Sequence, residues 1–305
     1  RNSIFRKELV SIVHIKNKKG ETLNFLFILP AVLLNLMFFI WPFVRALYMS
    51  FYDWSLMGNK KFIGLGNFIE AFHDEKFINS LIFTLKYAVI VTPCLFIVAF
   101  ALALLVNQNF KGVTIFRTIY FAPVVISMTT CSLVWLWIYN DLYGVLNYIL
   151  DKLGIISENI LWMNSADTSL PAIVFMITWK MAGFTMLILI GAFQTIDEEV
   201  YEAASIDGAS KIQKFTRITL PMIKSYIALA MIISVIGSVL AFEQFSIMTK
   251  GGPSSSTTTT VHYIYNTSFK YFHFGYGSAI SMILLVILLG LSYFQMAALK
   301  DPTDN

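Results

Sequence analysis

Six apolar runs constrain this chain more than any other feature. Their approximate limits are Leu23–Phe51, Ser80–Val106, Val113–Tyr139, Leu170–Phe193, Met222–Met248 and Ser278–Leu299. Each exceeds the roughly 20 residues that a helix needs to cross about 30 Å of hydrocarbon. Lipid offers the backbone no hydrogen-bond partner, so runs of this kind become helices. The expected fold is all-α and polytopic, with six transmembrane helices. Composition agrees: 57% of the 305 residues are hydrophobic and 13% charged, against about 25% charged in a soluble domain.

Prolines lie within or at the start of four runs: Pro30 and Pro42, Pro93, Pro123, and Pro171. Spanning helices tolerate proline, and kinks there often shape a cavity. The run from Leu23 continues past Ile40 into more apolar sequence and lacks a small-residue cleavage site, which reads as a span rather than a cleavable signal. Cys94 and Cys131 fall in apolar runs and read as small buried hydrophobes, not as a disulfide or metal pair.

Charge sets the orientation. The first 19 residues carry Arg1, Arg6, Lys7, Lys16, Lys18 and Lys19 against Glu8 alone. With the N-terminus inside, the cytoplasmic segments hold 13 Lys and Arg and the external ones 6, which places both termini in the cytoplasm. A basic arm before a first span sets topology; nothing in the chain suggests a nucleic-acid fold. The organisation expected is a basic arm at 1–22, a membrane domain at 23–299 and a tail at 300–305.

Outside the membrane, Tyr52–Asn79 spaces Phe62, Phe68, Phe72 and Phe77 among charges, as an amphipathic surface helix would. Asn140–Ser169 is acidic. Gly251-Gly252-Pro253 and the Ser/Thr run to Thr260 read as a structured hairpin. Trp135, Trp137 and Tyr139 suit an interface belt, and His262 and His273 read as ordinary loop residues. No internal repeat is found.

The segment Tyr201–Pro221 is charged and lies between two apolar runs, so it sits outside the bilayer, on the cytoplasmic side by the charge rule. Asp197 suits an N-cap, and Glu198 and Glu199 favour the first turn. A helix should run to about Ile206 and stop at Gly208. Ser210 can cap a second helix from Lys211 to about Thr219, and Pro221 can open the next span. Ala203 and Ala204 form a smooth face with Glu202 and Asp207 at its ends. Such a helix–turn–helix is either a plain connector or a docking element.

The residues Glu202-Ala203-Ala204, Asp207-Gly208-Ala209, Phe215, Ile218 and Leu220-Pro221 resemble, in type and spacing, the cytoplasmic "EAA" loop of permeases from binding-protein-dependent ABC importers. Asp197 stands where that family commonly has proline, and both residues start helices. Gly64-Leu65-Gly66-Asn67-Phe68 through Phe77 and Leu81 is similar to the external segment of carbohydrate-type permeases, with Phe83 where asparagine is usual before Thr84. Arg117 through Pro123, Trp179-Lys180 through Gly183-Phe184, and Met248 through Pro253 with the following threonines fit as well. The Gly-Gly-Pro segment resembles one of the two permeases of the maltose and glycerol-phosphate group.

The resemblance implies a type I ABC importer permease fold in a bacterial inner membrane, translocating a carbohydrate, an oligosaccharide by preference. It implies a second homologous permease, an ATPase dimer and an external substrate-binding protein as partners. Glu202, Ala203, Ala204, Asp207, Gly208 and Ala209 would dock the ATPase. No Gly-Lys dipeptide occurs, so the chain has no Walker A loop. ATP and Mg would be bound by the partner ATPase, with no cofactor in this chain.

Within the runs, Lys180, Glu243, Gln244 and Asn35 are candidates for the substrate pathway, since an intramembrane polar group is functional by default. Lys180 reads first as structural, paired with an acid such as Glu243 or with helix carbonyls. The rivals are a permease for a non-sugar solute such as glycerol phosphate, a secondary transporter, which predicts paired repeats that are not seen, and an intramembrane enzyme, for which no nucleophile–base pair or His cluster stands in the spans.

Overall fold

The protein is described here from a computed structural model that covers residues 18–56, 58, 60–108 and 111–299, with side-chain detail from 27 to 298. The basic arm through residue 17 and the tail 300–305 lie outside the described residues. Among these, five helices are long and apolar enough to span a membrane, or six if one sharply bent pair counts as a single span.

The N-terminal unit ends at Met49. It comprises α1 (Lys18–Asn35), a π-helical turn (Leu36–Ile40) and α2 (Trp41–Met49). Pro42 lacks an N–H and its ring would meet the carbonyl of Phe38. The widened turn lies directly upstream, where the Trp41 amide reaches back to the Leu36 carbonyl. The apolar span Phe27–Met49 buries no side chain, a surface that suits lipid or another membrane helix.

The second unit begins at Ser50. A two-residue antiparallel pair, β1 (Tyr52–Asp53) with β2 (Lys61–Phe62), leads to α3 (Gly66–His73). The surface helix expected across Tyr52–Asn79 is therefore only eight residues long. Asp74 is extended, accepts the Lys76 amide at 3.0 Å, and starts α4 (Glu75–Val106). Phe77 thus belongs to a spanning helix and is buried, while Phe62 and Phe72 stay exposed. At 32 residues, α4 is about 48 Å long and outreaches the hydrocarbon.

The third run differs most from expectation. It forms α5 (Val113–Val125) and α6 (Met128–Ile138), bent by 96° at Ile126 and Ser127. Both break residues are extended, and Ser127 caps α6 by accepting the Thr130 amide at 3.1 Å. The bend turns α6 toward the core. Trp135 and Tyr139 are consequently buried, and the Tyr139 hydroxyl donates to the Ala172 carbonyl at 2.9 Å. Of the proposed aromatic belt, only Trp137 is exposed.

A short helix, α7 (Val145–Lys152), lies in the acidic segment and is tied by Asn147, which donates to the Ile160 carbonyl and accepts the Trp162 indole N–H. Next comes α8 (Ala166–Phe193), capped by Ser165. It is the most buried span and packs along α4 over its length, with α5 against it as well. Tyr87, Val91, Ile173, Met176 and Phe245 fill one large core region; Ala99, Ala103, Met186, Leu189 and Ile223 fill a second. The small residues of the second region let the helix backbones approach.

After a loop described below, α12 (Lys224–Val239) and α13 (Glu243–Met248) form a span that is interrupted at Leu240–Phe242. The segment after Gly-Gly-Pro is a tight turn, in which the Thr257 amide returns to the Gly251 carbonyl at 3.2 Å, but its threonines pack inward. Thr257, Thr259 and Thr260 are buried, and the Thr259 hydroxyl donates to the Ala241 carbonyl at 2.7 Å, inside that interruption. Thr259 also caps α14 (Thr260–Tyr265), which carries His262. His262 is buried with its ring edge-on to Phe242, not a loop residue; burial and nearby Lys270 hold its pKa below the ordinary value. The last span is α15 (Phe274–Leu299).

Asp74 joins three of these elements. Its Oδ2 accepts the hydroxyls of Tyr263 and Tyr276, each at 2.6 Å. Burial pushes the carboxyl up, but these hydroxyls and the Phe77 and Lys76 amides outweigh it, and its pKa is lowered. A depressed carboxylate stabilises fully above its unfolded pKa, about 3.9, and that contribution is lost as pH falls through the folded value. Tyr263→Phe and Tyr276→Phe should each cost about 1–2 kcal/mol, the low end for a bond to a charged, partly solvated group. Asp74→Asn should lower the melting temperature at pH 7 and flatten its decline between about pH 5 and 3; an unchanged acid slope would remove this role.

Candidate functional site

The loop between α8 and α12 begins at its anchor. Ile196 is buried, and Val200 and Tyr201 pack beside it on Phe193 and Ile223. Asp197 is extended and precedes α9 (Glu198–Ile206), but its carboxylate makes no capping bond. Glu198 and Glu199 sit in the first turn, where the helix dipole favours acids.

Gly208 ends α9 as expected. Its φ of +77° is left-handed, the Gly208 amide returns to the Ser205 carbonyl at 3.1 Å, and the Ala209 amide to the Ala204 carbonyl at 2.9 Å. This is a Schellman termination. A Cβ on Gly208 would meet nothing within 4 Å, so the backbone angle, not space, calls for glycine.

Ser210 then opens α10 (Lys211–Lys214) with both halves of a capping box. The Gln213 amide donates to Ser210 Oγ at 3.3 Å, and the Ser210 amide to Gln213 Oε1 at 2.8 Å. A π-helical turn (Phe215–Thr219) and α11 (Leu220–Met222) complete the loop. Here too the widened turn lies just before a proline, Pro221. Two bonds hold the halves together: Tyr201 Oη shares a hydrogen with Thr219 Oγ1 at 2.8 Å, and Lys214 Nζ donates to Ser205 Oγ.

The exposed face is more apolar than the alanines suggest. Ile206 and Ile212 are 87% and 75% exposed. Glu202, Ala203, Asp207 and Gly208 are exposed around them, while Ala204 and Ala209 are half-buried. Sequence reasoning passed over both isoleucines. The signal was the Ala203/Ile206 spacing, which puts the two on one helix face.

The candidate pathway residues do not form one cluster. Lys180 is buried at 4% exposure, and its Nζ donates to the carbonyls of Pro123 (3.2 Å), Val124 (3.3 Å) and Ile126. Glu243 is exposed and accepts the Thr129 hydroxyl at 2.8 Å. The expected Lys180–Glu243 pair is therefore not formed: carbonyls at the break hold the ammonium, and the Thr129 hydroxyl holds the carboxylate. Gln244 is buried, with Nε2 3.4 Å from Tyr87 Oη. Asn35 lies in the N-terminal unit, exposed, just before its π-helical turn.

At the opposite end of α4 from this loop lies an open cleft of about 1370 Å³. Trp54, Tyr271 and Tyr276 line it with Asp53, Glu70 and Asn79.

The family model for the inner membrane component of binding-protein-dependent transport systems matches residues 62–303. The chain belongs to this family. It is a permease, a transport subunit rather than an enzyme. Among its relatives, the sulfoquinovosyl glycerol transport system permease SmoG of Agrobacterium fabrum is 33% identical over 280 residues, covering 90% of each chain. The lactose transport system permease LacF of Rhizobium radiobacter is 33% identical over 284 residues, 91% of this chain and 94% of LacF. A bacterial alginate ABC transporter, solved with its pentasaccharide-bound periplasmic protein, superposes with a TM-score of 0.80 at 24% identity, over 92% of this chain and 94% of that one. It gives the same fold.

In the permease, the loop geometry is set by two local devices that can be removed singly. Gly208→Val places a β-branched residue at positive φ and should destabilise the turn by about 1–3 kcal/mol. Ser210→Ala should cost about 1 kcal/mol of local stability. Hydrogen exchange of the loop amides should quicken in both variants, while that of α8 stays unchanged. Unaltered exchange in Gly208→Val would show that the turn is not held by its glycine.

Proposed function

We propose that this permease is one of two homologous membrane subunits of an ABC importer that takes up a carbohydrate, an oligosaccharide by preference. Its Ala203/Ile206 face docks a separate ATPase dimer, which binds the ATP and Mg. An external substrate-binding protein delivers the solute. The carrying observation is the bare face of the loop: isoleucines exposed outside the spans, rimmed by Glu202 and Asp207, on a helix pair held by two caps and two cross-bonds. Large exposed apolar residues on a rigid, polar-rimmed element mark a contact site for another protein.

The sugar assignment draws on the solutes named for the two relatives, a glycosylated glycerol and a disaccharide. Aromatic and carboxylate side chains together in the cleft at the far end suit sugar faces and hydroxyls. That end, in this reading, faces the binding protein. The bias of Lys and Arg supports the matching orientation, with both termini and the docking loop in the cytoplasm.

Three experiments test the reading. In a cysteine-free background, Ser210→Cys should be labelled by a membrane-impermeant reagent only from the cytoplasmic side, and Ser255→Cys only from outside; the reverse pattern would invert the topology. Glu202→Lys and Ile206→Asp should each reduce ATPase co-purification at least tenfold, with the permease still inserted. Uptake at normal rates by both would remove the docking role. A panel of labelled saccharides and glycerol phosphate, offered to the complete importer, identifies the solute class.

A further inference from the structure

The break between α5 and α6 poses a problem that one side chain solves. A helix that stops leaves its last carbonyls without amide partners. Ile126 and Ser127 are extended; the Ile126 amide returns to the Pro123 carbonyl at 3.3 Å and the Ser127 carbonyl takes the Cys131 amide at 2.9 Å, while the Val124 and Ile126 carbonyls take no backbone amide among the described residues. Away from water those oxygens need donors. Lys180 brings three N–H groups and no acceptor, and its Nζ contacts the carbonyls of Pro123, Val124 and Ile126 together. A cation at the C-terminal end of α5 also matches the helix dipole.

The contact is rigid on the α8 side. Gly183 lies three residues beyond Lys180 and so on the same helix face. A Cβ there would fall 2.1 Å from the Tyr120 carbonyl oxygen. The two backbones therefore touch at Gly183 while the ammonium grips the break. Thirteen residues after Lys180, α8 ends at Phe193 and enters the docking loop, about 20 Å along one unbroken helix.

The break is held on its other side too. Thr129, in the first turn of α6, donates to Glu243, the first residue of α13, just past the interruption at Leu240–Phe242. These two interruptions are thus linked, and α6 packs on α13.

We propose that Lys180 is a positioning residue of the transport cycle. It ties the 123–129 break to α8, so that displacement of the docking loop moves the break and the Thr129–Glu243 contact as the gate of the pathway. This rests on the docking role proposed above. Lys180 acts through the carbonyls it holds and need not touch the solute.

The test uses the complete importer in proteoliposomes, with uptake and ATP hydrolysis measured together. Lys180→Met keeps the stem and removes the donors. ATPase recovery and hydrolysis should stay within about twofold of wild type, solute transported per ATP should fall at least tenfold, and the half-saturating solute concentration should change less than threefold. Lys180→Arg, which restores donors, should recover at least a third of the lost transport. Thr129→Val, at an exposed position, should lower transport per ATP at least threefold.

A tenfold rise in half-saturating concentration at unchanged transport per ATP would overturn the proposal in favour of direct solute contact. Uptake and hydrolysis falling in proportion in Lys180→Met and Lys180→Arg alike would overturn it in favour of a purely structural lysine. If Lys180→Met fails to assemble, Thr129→Val decides, and normal transport per ATP in that variant rejects the coupled gate. If instead wild-type permease recovers no ATPase, the docking reading fails first, an outcome separate from these.

Discussion

A carbonyl or amide in hydrocarbon must find a partner inside the protein, and that requirement shapes the irregular parts of this permease. Helices meet it automatically, so the informative places are where helices stop. At the break before α6 the carbonyls of Pro123, Val124 and Ile126 are taken by the Lys180 ammonium. At Leu240–Phe242 the Ala241 carbonyl is taken by the Thr259 hydroxyl. Before Pro42 and Pro221 the helix widens to a π turn and keeps its bonds within the chain. Three chemistries answer one constraint: a cation, a hydroxyl and a change of helical register.

These solutions set the architecture around α8. It lies against α4 and α5, carries Lys180 and Gly183 on one face, and leads without a break to the loop. The loop is stiff for a connector. It is anchored by Ile196, Val200 and Tyr201, closed by a left-handed glycine, and cross-tied through Thr219 and Lys214. A stiff exposed element joined to a buried helix can transmit displacement, where a floppy one would absorb it. At the other end of α4, Asp74 with Tyr263 and Tyr276 fastens the start of α4 to α14 and α15.

Much of the loop was legible from residues 197–221. Helix stops and starts are local events, governed by caps, left-handed glycine and proline, and the residues responsible are adjacent in sequence. The Gly208 turn and Ser210 cap stand where these rules place them. The capping role read for Asp197 did not appear as a side-chain bond, because its extended backbone alone begins the helix. The isoleucine face stayed hidden because exposure is not a property of a local pattern: Ile206 and Val200 are similar in kind, yet one is bare and the other packed.

The sequence by itself determined that the chain crosses a membrane several times, roughly where, and which segment between spans forms the helix–turn–helix. Run length and local turn chemistry suffice for that. Only the tertiary structure decided that one apolar run bends by 96°, that Lys180 answers carbonyls rather than Glu243, and that Trp135, Tyr139, His262 and the threonines are interior. The physical reason is common to all of these. An apolar run looks the same whether it continues or turns, and a polar side chain can be satisfied by any partner of suitable chemistry. Which partner it meets depends on residues more than fifty positions away, brought there by packing.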